Sequence, residues 1–186
     1  MEFFKGNVYG IRGINGSGKT MLFRAICGLI NPTEGQITID KKILHKDVSF
    51  PESIGVLIEN PGFLPSYTGR DNLKLLADIK NIINYEKIDE TLNLVGLDCN
   101  DKRKYKQYSL GMKQKLGIAQ ALMEDPDLIL LDEPTNALDE KSVENILSII
   151  EKEKAKGKLI LIASHDKLIL EQICDEIINI ENGRII

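Results

Sequence analysis

Gly13-Ile-Asn-Gly-Ser-Gly-Lys19-Thr20 is the stretch that decides the fold, because it matches the Gly-x-x-x-x-Gly-Lys-Thr pattern of a phosphate-binding loop. Glycine dihedrals let the backbone N–H groups of such a loop face phosphate oxygens, and the following helix adds its positive N-terminal end. Residues 8–12 before the loop predict a short strand. Leu22, Ile26 and Leu29 predict one apolar face of the helix after it. A glycine-rich turn before an ordinary helix is the alternative interpretation.

An acidic pair follows a second apolar run. Residues 128–131 are continuous and apolar, which is typical of a parallel strand buried on both faces. Asp132 closes this run and is a candidate Mg²⁺ ligand. Glu133 comes next and is placed to orient or deprotonate an attacking water. An acidic turn after a buried strand is the alternative interpretation of the pair.

Three predicted strands run into polar residues where each strand ends. The strand at 8–12 leads to the phosphate-binding loop, the strand at 128–131 to the acidic pair, and a third strand at 159–163 to His165. In an open parallel α/β sheet, ligands bind beyond the carboxyl ends of the strands. We therefore expect the three polar groups to meet at one edge of the sheet. On its own, a histidine after a strand is more often structural than functional.

Composition limits the classes of protein that fit. A chain of 186 residues suits a single domain, and its net charge of −4 argues against a nucleic-acid binder, which usually shows a basic face. Cys27, Cys99 and Cys174 fit neither a disulfide framework nor a zinc site, so we expect a reducing compartment and packing roles. The first residues lack a signal-peptide pattern, and no apolar run approaches the ~18 residues that cross a bilayer.

Hydrophobic spacing predicts how the chain is organised. Residues 36–40 alternate like a half-buried antiparallel strand, and residues 54–58 are another strand candidate. The spacing then becomes helical before strands return in the second half. We expect a single domain over residues 1–186, with a core at approximately 1–60 and 113–186 and an inserted helical subdomain at approximately 61–112.

A third motif, Tyr108-Ser-Leu-Gly-Met-Lys-Gln114, lies between the phosphate-binding loop and the acidic pair. With the motifs in this order, and with Ser164-His165-Asp166 after them, the chain resembles the nucleotide-binding domain of an ABC transporter over almost its whole length. The resemblance implies an α/β fold with a P-loop NTPase (RecA-like) core, a parallel sheet, a small antiparallel β part and an inserted helical subdomain. It also implies two ATP molecules held head to tail between two such domains.

The resemblance assigns roles to residues of these motifs. The expected nucleotide-binding residues are Asn15, Gly16, Ser17, Gly18, Lys19, Thr20 and Met21, with Ser109 and Gly111 contacting the γ-phosphate bound by the opposite protomer. The expected catalytic residues are Lys19, Glu133 as the base and His165 as the γ-phosphate sensor. The expected Mg²⁺ ligands are Thr20, Asp132 and Glu59. Ser109 is also expected to cap the helix that follows it, so that the helix N-terminus points at phosphate.

Glu59 departs from the family pattern, in which a glutamine occupies this place, touches Mg²⁺ and relays to the membrane partner. A carboxylate is a hard oxygen ligand and can also bind Mg²⁺. The segment around Glu59 resembles those of exporters for peptide antibiotics such as bacitracin and lantibiotics. The alternative interpretation is that Glu59 is a solvated acid in a loop.

The second departure concerns the adenine base. Only twelve residues precede Gly13, whereas the family normally carries some twenty more, including an aromatic residue that stacks on adenine. Phe3 and Phe4 are too close in sequence to Gly13 to reach the base, and Tyr9 lies inside the predicted strand. Because base stacking is worth about 1–3 kcal/mol, we expect weak ATP binding with poor discrimination between adenine and guanine.

These expectations add up to an Mg²⁺-dependent ATPase subunit that powers a separate transmembrane permease subunit. ATP is expected to close a homodimer, or a heterodimer with a second ABC domain, and no nucleic-acid partner is expected. The expected location is the cytoplasm, peripheral on the inner face of the cell membrane. Two alternatives stay open: a soluble ABC ATPase that acts on nucleic acid or ribosomes, and a degenerate cassette that binds nucleotide only for regulation.

Overall fold

A six-stranded sheet forms the centre of the computed structural model, which describes residues 1–59 and 61–186. Its strands are β1 (Val8–Arg12), β4 (Ile54–Leu57), β5 (Leu128–Asp132), β6 (Leu159–Ser164), β7 (Glu176–Glu181) and β8 (Arg184–Ile185). A separate antiparallel pair consists of β2 (Thr38–Ile39) and β3 (Lys42–Ile43). Strand β2 lies within the segment predicted at residues 36–40 and is shorter than expected, and its partner β3 follows that segment.

The helices are α1 (Lys19–Ile26), α2 (Gly69–Lys80), α3 (Tyr85–Leu94), α4 (Leu110–Leu122), α5 (Glu140–Ala155) and α6 (Lys167–Ile173), with a 3₁₀ turn at Tyr105–Gln107. None of the helices in the described part of the chain is long and apolar enough to cross a membrane.

The strand order places the predicted site residues on neighbouring strands. The sheet runs β4-β5-β6-β1-β7-β8, and every adjacent pair is parallel except β7 and β8. Arg12 at the end of β1 pairs with Ser164 of β6, and Asp132 at the end of β5 pairs with Ala163. The carboxyl ends of β1, β5 and β6 are therefore level, as the sequence predicts.

Apolar residues on both faces of the sheet explain the continuous runs in the sequence. Leu128 and Leu130 of β5 belong to one buried cluster, and Ile129 and Leu131 belong to the other. Successive side chains of a strand point to opposite faces, so a strand that is covered on both sides needs apolar residues throughout.

Residues 61–112 contain α2, α3, the 3₁₀ turn and the start of α4, and no strand. Leu73 of α2 and Leu92 of α3 are buried in the same apolar cluster as Leu116 of α4 and Leu131 of β5. The helical stretch therefore shares its core with the sheet. Because α4 runs through the expected boundary at residue 112, the division into core and inserted subdomain stays a prediction.

Close packing fixes α4 against β4. A Cβ atom added to Gly55 of β4 would lie 1.8 Å from the Ala121 carbonyl oxygen of α4. Only glycine fits at this contact, so residue 55 sets the distance between the helix and the edge of the sheet.

The apolar face predicted for α1 is wrong at its last residue. The helix ends at Ile26, and Gly28 has φ +77°, the left-handed conformation that commonly stops a helix. Leu29 therefore lies beyond the helix and is exposed. The fully buried residue of the apolar helix face is Phe23.

Candidate functional site

A cleft of about 520 Å³ opens where the strands of the sheet end. The predicted site residues that line it are Asn15, Gly16, Gly18, Lys19, Thr20, Met21, Glu59, Asp132 and Glu133. The opposite wall includes Tyr105, Lys113 and Gln114, from the 3₁₀ turn and α4. The cleft thus brings the phosphate-binding loop and the acidic pair together, as the strand positions predict.

The phosphate-binding loop is shaped by glycine and closed by its lysine. Gly18 has φ +109°, a conformation essentially limited to glycine, and α1 begins at the next residue. The Lys19 ammonium is buried and donates to the carbonyl oxygens of Gly13 at 2.6 Å and Ile14 at 3.2 Å. In this conformation the charge of Lys19 holds the loop itself together.

Ser17 belongs to the phosphate-binding loop but is buried and is not among the residues that line the cleft. Its hydroxyl is buried and has no hydrogen-bond partner among the residues that the structure describes. Its backbone N–H donates to Ile14, and its carbonyl accepts from the Gly183 N–H at 2.9 Å. The side chain of Ser17 therefore gives no support to its predicted role in nucleotide binding, and that role stays a prediction.

Thr20 and Asp132 form a pair of hard oxygen donors at the edge of the sheet. The Thr20 hydroxyl donates to Asp132 Oδ2 at 2.7 Å. Burial of Asp132 raises the pKa of its carboxyl above the usual value, although the Thr20 hydrogen bond partly opposes the shift. The described residues hold no cluster of three or more histidine, cysteine or acidic side chains that could bind a metal alone. Two oxygen donors suit Mg²⁺, which commonly takes its other ligands from phosphates and water.

The Glu133 carboxylate is surrounded by donors from the end of β6. Oε1 accepts from the His165 backbone N–H at 3.0 Å and lies 2.9 Å from His165 Nδ1. Oε2 accepts from the Ser164 hydroxyl at 3.0 Å, and the Lys19 ammonium lies 3.7 Å from Oε1. Glu133, His165 and Lys19, which come from three parts of the sequence, thus meet at one carboxylate.

The backbone of Glu133 is held as firmly as its side chain. Glu133 has φ +48°, a left-handed conformation that costs a non-glycine residue about 1–3 kcal/mol. Its N–H donates to Ala163 at 2.8 Å, and its carbonyl accepts from Gln114 Nε2 at 2.8 Å. The roles of Gln114 and Ser164 are not predictable from the sequence, because only the folded chain shows which polar side chains face Glu133.

Glu59 lies at the rim of the cleft but is paired with a cation. Arg24 of α1 reaches Glu59 Oε1 at 2.8 Å, and the Glu59 side chain is 58% exposed. Glu59 also adopts a left-handed backbone conformation, with φ +54°. In this conformation the carboxylate is occupied by Arg24, and Mg²⁺ binding by Glu59 stays a prediction.

Ser109 and Gly111 stand at the start of α4 and do not line the cleft. The Ser109 hydroxyl accepts from the Met112 N–H at 3.2 Å, which confirms the predicted helix cap. Ser109 is exposed, and a Cβ added to Gly111 would lie 2.8 Å from the Ala137 carbonyl oxygen. Their expected contact with a nucleotide on a second protomer remains a prediction.

The aromatic residues near the N-terminus pack on one another. Phe3 and Tyr9 make an edge-to-face contact with their centroids 4.8 Å apart, and Tyr9 is buried. The Tyr9 hydroxyl accepts from the Phe4 N–H at 3.1 Å. None of these three residues lines the cleft.

The family match and the two relatives described next are all ABC transporter or transport ATP-binding proteins. The family model described as ABC transporter matches residues 1–136. The chain is 50% identical over 183 residues to the ABC transporter ATP-binding protein YybJ of Bacillus subtilis, covering 98% of the chain and 84% of YybJ. It is 40% identical over 184 residues to the bacitracin transport ATP-binding protein BcrA of Bacillus licheniformis, covering 98% of the chain and 60% of BcrA. The chain thus spans less than two thirds of the length of some relatives.

Three further matches are also ABC transporter proteins. The lantibiotic transport ATP-binding protein SrtF of Streptococcus pyogenes is 38% identical over 187 residues, covering 100% of the chain and 80% of SrtF. The dimeric structure of MJ0796, a bacterial ABC transporter cassette, has a TM-score of 0.87 and 26% identity, covering 100% of the chain and 85% of MJ0796. A second MJ0796 structure, a dimer bound to ADP and Pi, has a TM-score of 0.88.

Proposed function

The chain belongs to the ABC transporter family as an ATP-binding subunit with the ATPase fold, and we propose that its ATP hydrolysis drives a separate membrane-spanning partner. The observation that carries the proposal is the meeting of Lys19, Asp132 and Glu133 in one cleft. A phosphate-binding cation, a metal carboxylate and a candidate base are the parts that phosphoryl transfer to water requires.

Lys19 and the loop that precedes it bind the phosphates. The Lys19 ammonium leaves the carbonyls of Gly13 and Ile14 and turns to the β- and γ-phosphates, which offer a stronger, charged acceptor. The N-terminus of α1 adds its partial positive charge at the same place.

Thr20 and Asp132 hold Mg²⁺ in the proposed complex. Their oxygens lie 2.7 Å apart, between the start of α1 and the end of β5, which suits two neighbouring positions on one ion. Mg²⁺ would neutralise the charge that develops on the phosphate oxygens. Glu59 becomes a third protein ligand once it leaves Arg24.

Glu133 takes the proton of the attacking water, and His165 orients the Glu133 carboxylate. The His165 ring lies 2.9 Å from the Glu133 carboxylate, so the histidine fixes the direction in which the base points. A positioned general base contributes about 10²–10⁴-fold in rate. His165 itself does not line the cleft, and in the proposal its exposed ring also contacts the γ-phosphate.

A second cassette completes each site in the proposal. Ser109 is exposed at the start of α4 and Gly111 is partly exposed, and neither lines the cleft of its own chain, so in the proposal both contact a nucleotide on another protomer. The dimeric structures of MJ0796 support this arrangement, as either a homodimer or a heterodimer with a second ABC domain.

We assign the transporter to the export of peptide antibiotics of the bacitracin or lantibiotic type. The names of BcrA and SrtF support this class of substrate, and they also favour a transporter over a soluble ATPase that acts on nucleic acid or ribosomes. The proposed location is the cytoplasmic face of the cell membrane, where the permease binds.

Purification of the native complex from membranes tests the proposal. A tagged chain is expected to bring down a membrane-spanning protein, and the complex in proteoliposomes is expected to hydrolyse MgATP faster when a bacitracin-type or lantibiotic peptide is present. The Lys19→Ala complex is the matched control and should be inactive. Recovery of nucleic acid or ribosomes in place of a membrane protein would contradict the proposal.

A further inference from the structure

The N-terminal half of α4 approaches the Glu133 turn of the same chain at two places. Gln114 Nε2 donates to the Glu133 carbonyl oxygen at 2.8 Å. Gly111 lies one turn earlier on the same side of the helix, where an added Cβ would meet the Ala137 carbonyl oxygen at 2.8 Å. Helix α4 therefore packs closely against both ends of the turn at residues 133–137 and is hydrogen-bonded to the Glu133 end.

This turn has an unusual backbone that needs support. Glu133 and Ala137 have φ values of +48° and +61°, which non-glycine residues rarely adopt. Within the turn, the Asn136 N–H donates to the Glu133 carbonyl at 3.2 Å. Gln114 gives the same carbonyl its second and shorter hydrogen bond, and it comes from a different element. Rotation of this peptide would carry the Glu133 side chain away from His165.

We infer that Gln114 is a positioning residue for Glu133, which it orients through the peptide carbonyl. The inference rests on the proposed function of Glu133 as the base. Ser109 at the start of the same helix is proposed to face the nucleotide bound by the partner. A movement of α4 that accompanies dimer closure at the partner's nucleotide would therefore reach Glu133 of its own chain through Gln114.

Gln114→Met removes the donor and keeps a side chain of similar length. The kcat for ATP is expected to fall about tenfold to a hundredfold, because small displacements of a reacting group have effects of this size, while KM stays at the wild-type value. Gln120→Met on the same helix is the matched control, since Gln120 makes no side-chain hydrogen bond in the part of the chain described. It should keep wild-type kcat and KM.

A second readout does not depend on hydrolysis. Amide hydrogen exchange across residues 133–139 is expected to be faster in Gln114→Met than in wild type and unchanged in Gln120→Met. The strands of the sheet should exchange at the wild-type rate in both variants. If Gln114→Met does not fold, Gln114→Glu gives the same tests, because it keeps the shape of the side chain and removes the N–H donor.

The outcomes separate the two proposals. Wild-type kcat in Gln114→Met overturns the inference and leaves the proposed function standing. A raised KM at unchanged kcat also overturns it, since that result assigns Gln114 to substrate binding. Unchanged exchange across residues 133–139 overturns it even if kcat falls. Absence of MgATP hydrolysis in the wild-type complex refutes the proposed function, while the exchange experiment still reports whether Gln114 holds the turn.

Discussion

The Glu133 carboxylate lies 2.9 Å from His165 Nδ1 and also accepts the His165 backbone N–H at 3.0 Å. Two bonds from one residue to one carboxylate oxygen fix the direction of the side chain. A group that is to take a proton from water benefits from such fixed placement, because little reorganisation is needed during the reaction.

Glu133→Gln is expected to lower kcat for ATP by about 10²–10⁴-fold, because the amide keeps the shape of the side chain and cannot take a proton. Binding of ATP should persist, so size-exclusion chromatography with ATP should show a stable dimer. Glu140→Gln, at the exposed first turn of α5, is the control and should behave as wild type. Hydrolysis at the wild-type rate by Glu133→Gln would remove the base assignment.

Arg24→Met is expected to lower the Mg²⁺ concentration that gives half-maximal ATPase activity by about 1.5-fold to fivefold. The reason is that Arg24 competes with Mg²⁺ for Glu59, and an exposed ion pair is typically worth about 0.2–1 kcal/mol. The measurement is a Mg²⁺ titration at fixed ATP. The same change in a Glu59→Ala background should have no effect. An unchanged midpoint in Arg24→Met would show that Glu59 takes no part in metal binding.

Ser17→Ala is expected to leave ATPase activity unchanged and to raise stability by about 1 kcal/mol. The substitution removes a buried hydroxyl that has no partner among the described residues, and such groups cost about 1–3 kcal/mol. Urea unfolding measures the change.

Gly13→Ala is the contrasting substitution in the same loop. Its Cβ would lie 2.3 Å from the Ser17 hydroxyl and 2.5 Å from the Ile180 carbonyl oxygen, so we expect lower stability and loss of ATP binding. If Ser17→Ala weakens ATP binding as much as Gly13→Ala does, the hydroxyl contacts nucleotide in a conformation that differs from this one.

Asp89→Asn is expected to destabilise the chain by about 0.5–1 kcal/mol at pH 7, because Arg70 of α2 binds both carboxylate oxygens of this α3 residue and the pair is partly exposed. The Arg70 guanidinium lowers the pKa of the Asp89 carboxyl. The stabilisation that the Asp89–Arg70 ion pair gives to the folded chain is therefore complete above the unfolded pKa of about 3.9. It is lost as the pH falls through the lower folded pKa.

Urea unfolding of Asp89→Asn and wild type from pH 7 to pH 3 measures this dependence. The difference between the two proteins should shrink only below about pH 4. Glu90→Gln is the control, since the Glu90 side chain is largely exposed and lies 3.8 Å from Lys87. A difference that stays constant to pH 3 would mean that the ion pair is not its cause.

Much of the fold follows from local pattern. The runs at 128–131 and 159–163 are continuous and apolar, and that pattern has few explanations other than strands covered on both faces. Ser109 caps α4 as expected, because a serine before an apolar helix has one dominant use. The motifs that end these strands then meet at one edge of the sheet for geometric reasons alone.

The contacts that the sequence did not predict join residues far apart in the chain. Arg24 contacts Glu59, and Gln114 contacts Glu133. An arginine or a glutamine in a sequence does not indicate which distant residue it will contact. Leu29 was assigned to a helix face because spacing does not reveal where a helix stops; the left-handed Gly28 decides that. The spacing of apolar residues predicts helices and strands. The side-chain contacts between helices and strands depend on how these pack in the folded chain.

The contact between Gly55 and the Ala121 carbonyl has a consequence for mixed assemblies. A methyl group at residue 55 would push α4 outward and displace Ser109, which in the proposed dimer serves the nucleotide of the other copy. The altered copy would then lose the Gln114 support of its own Glu133 and, through Ser109, would also weaken the site of its unaltered neighbour. Such an allele would act dominantly in a cell that expresses both forms.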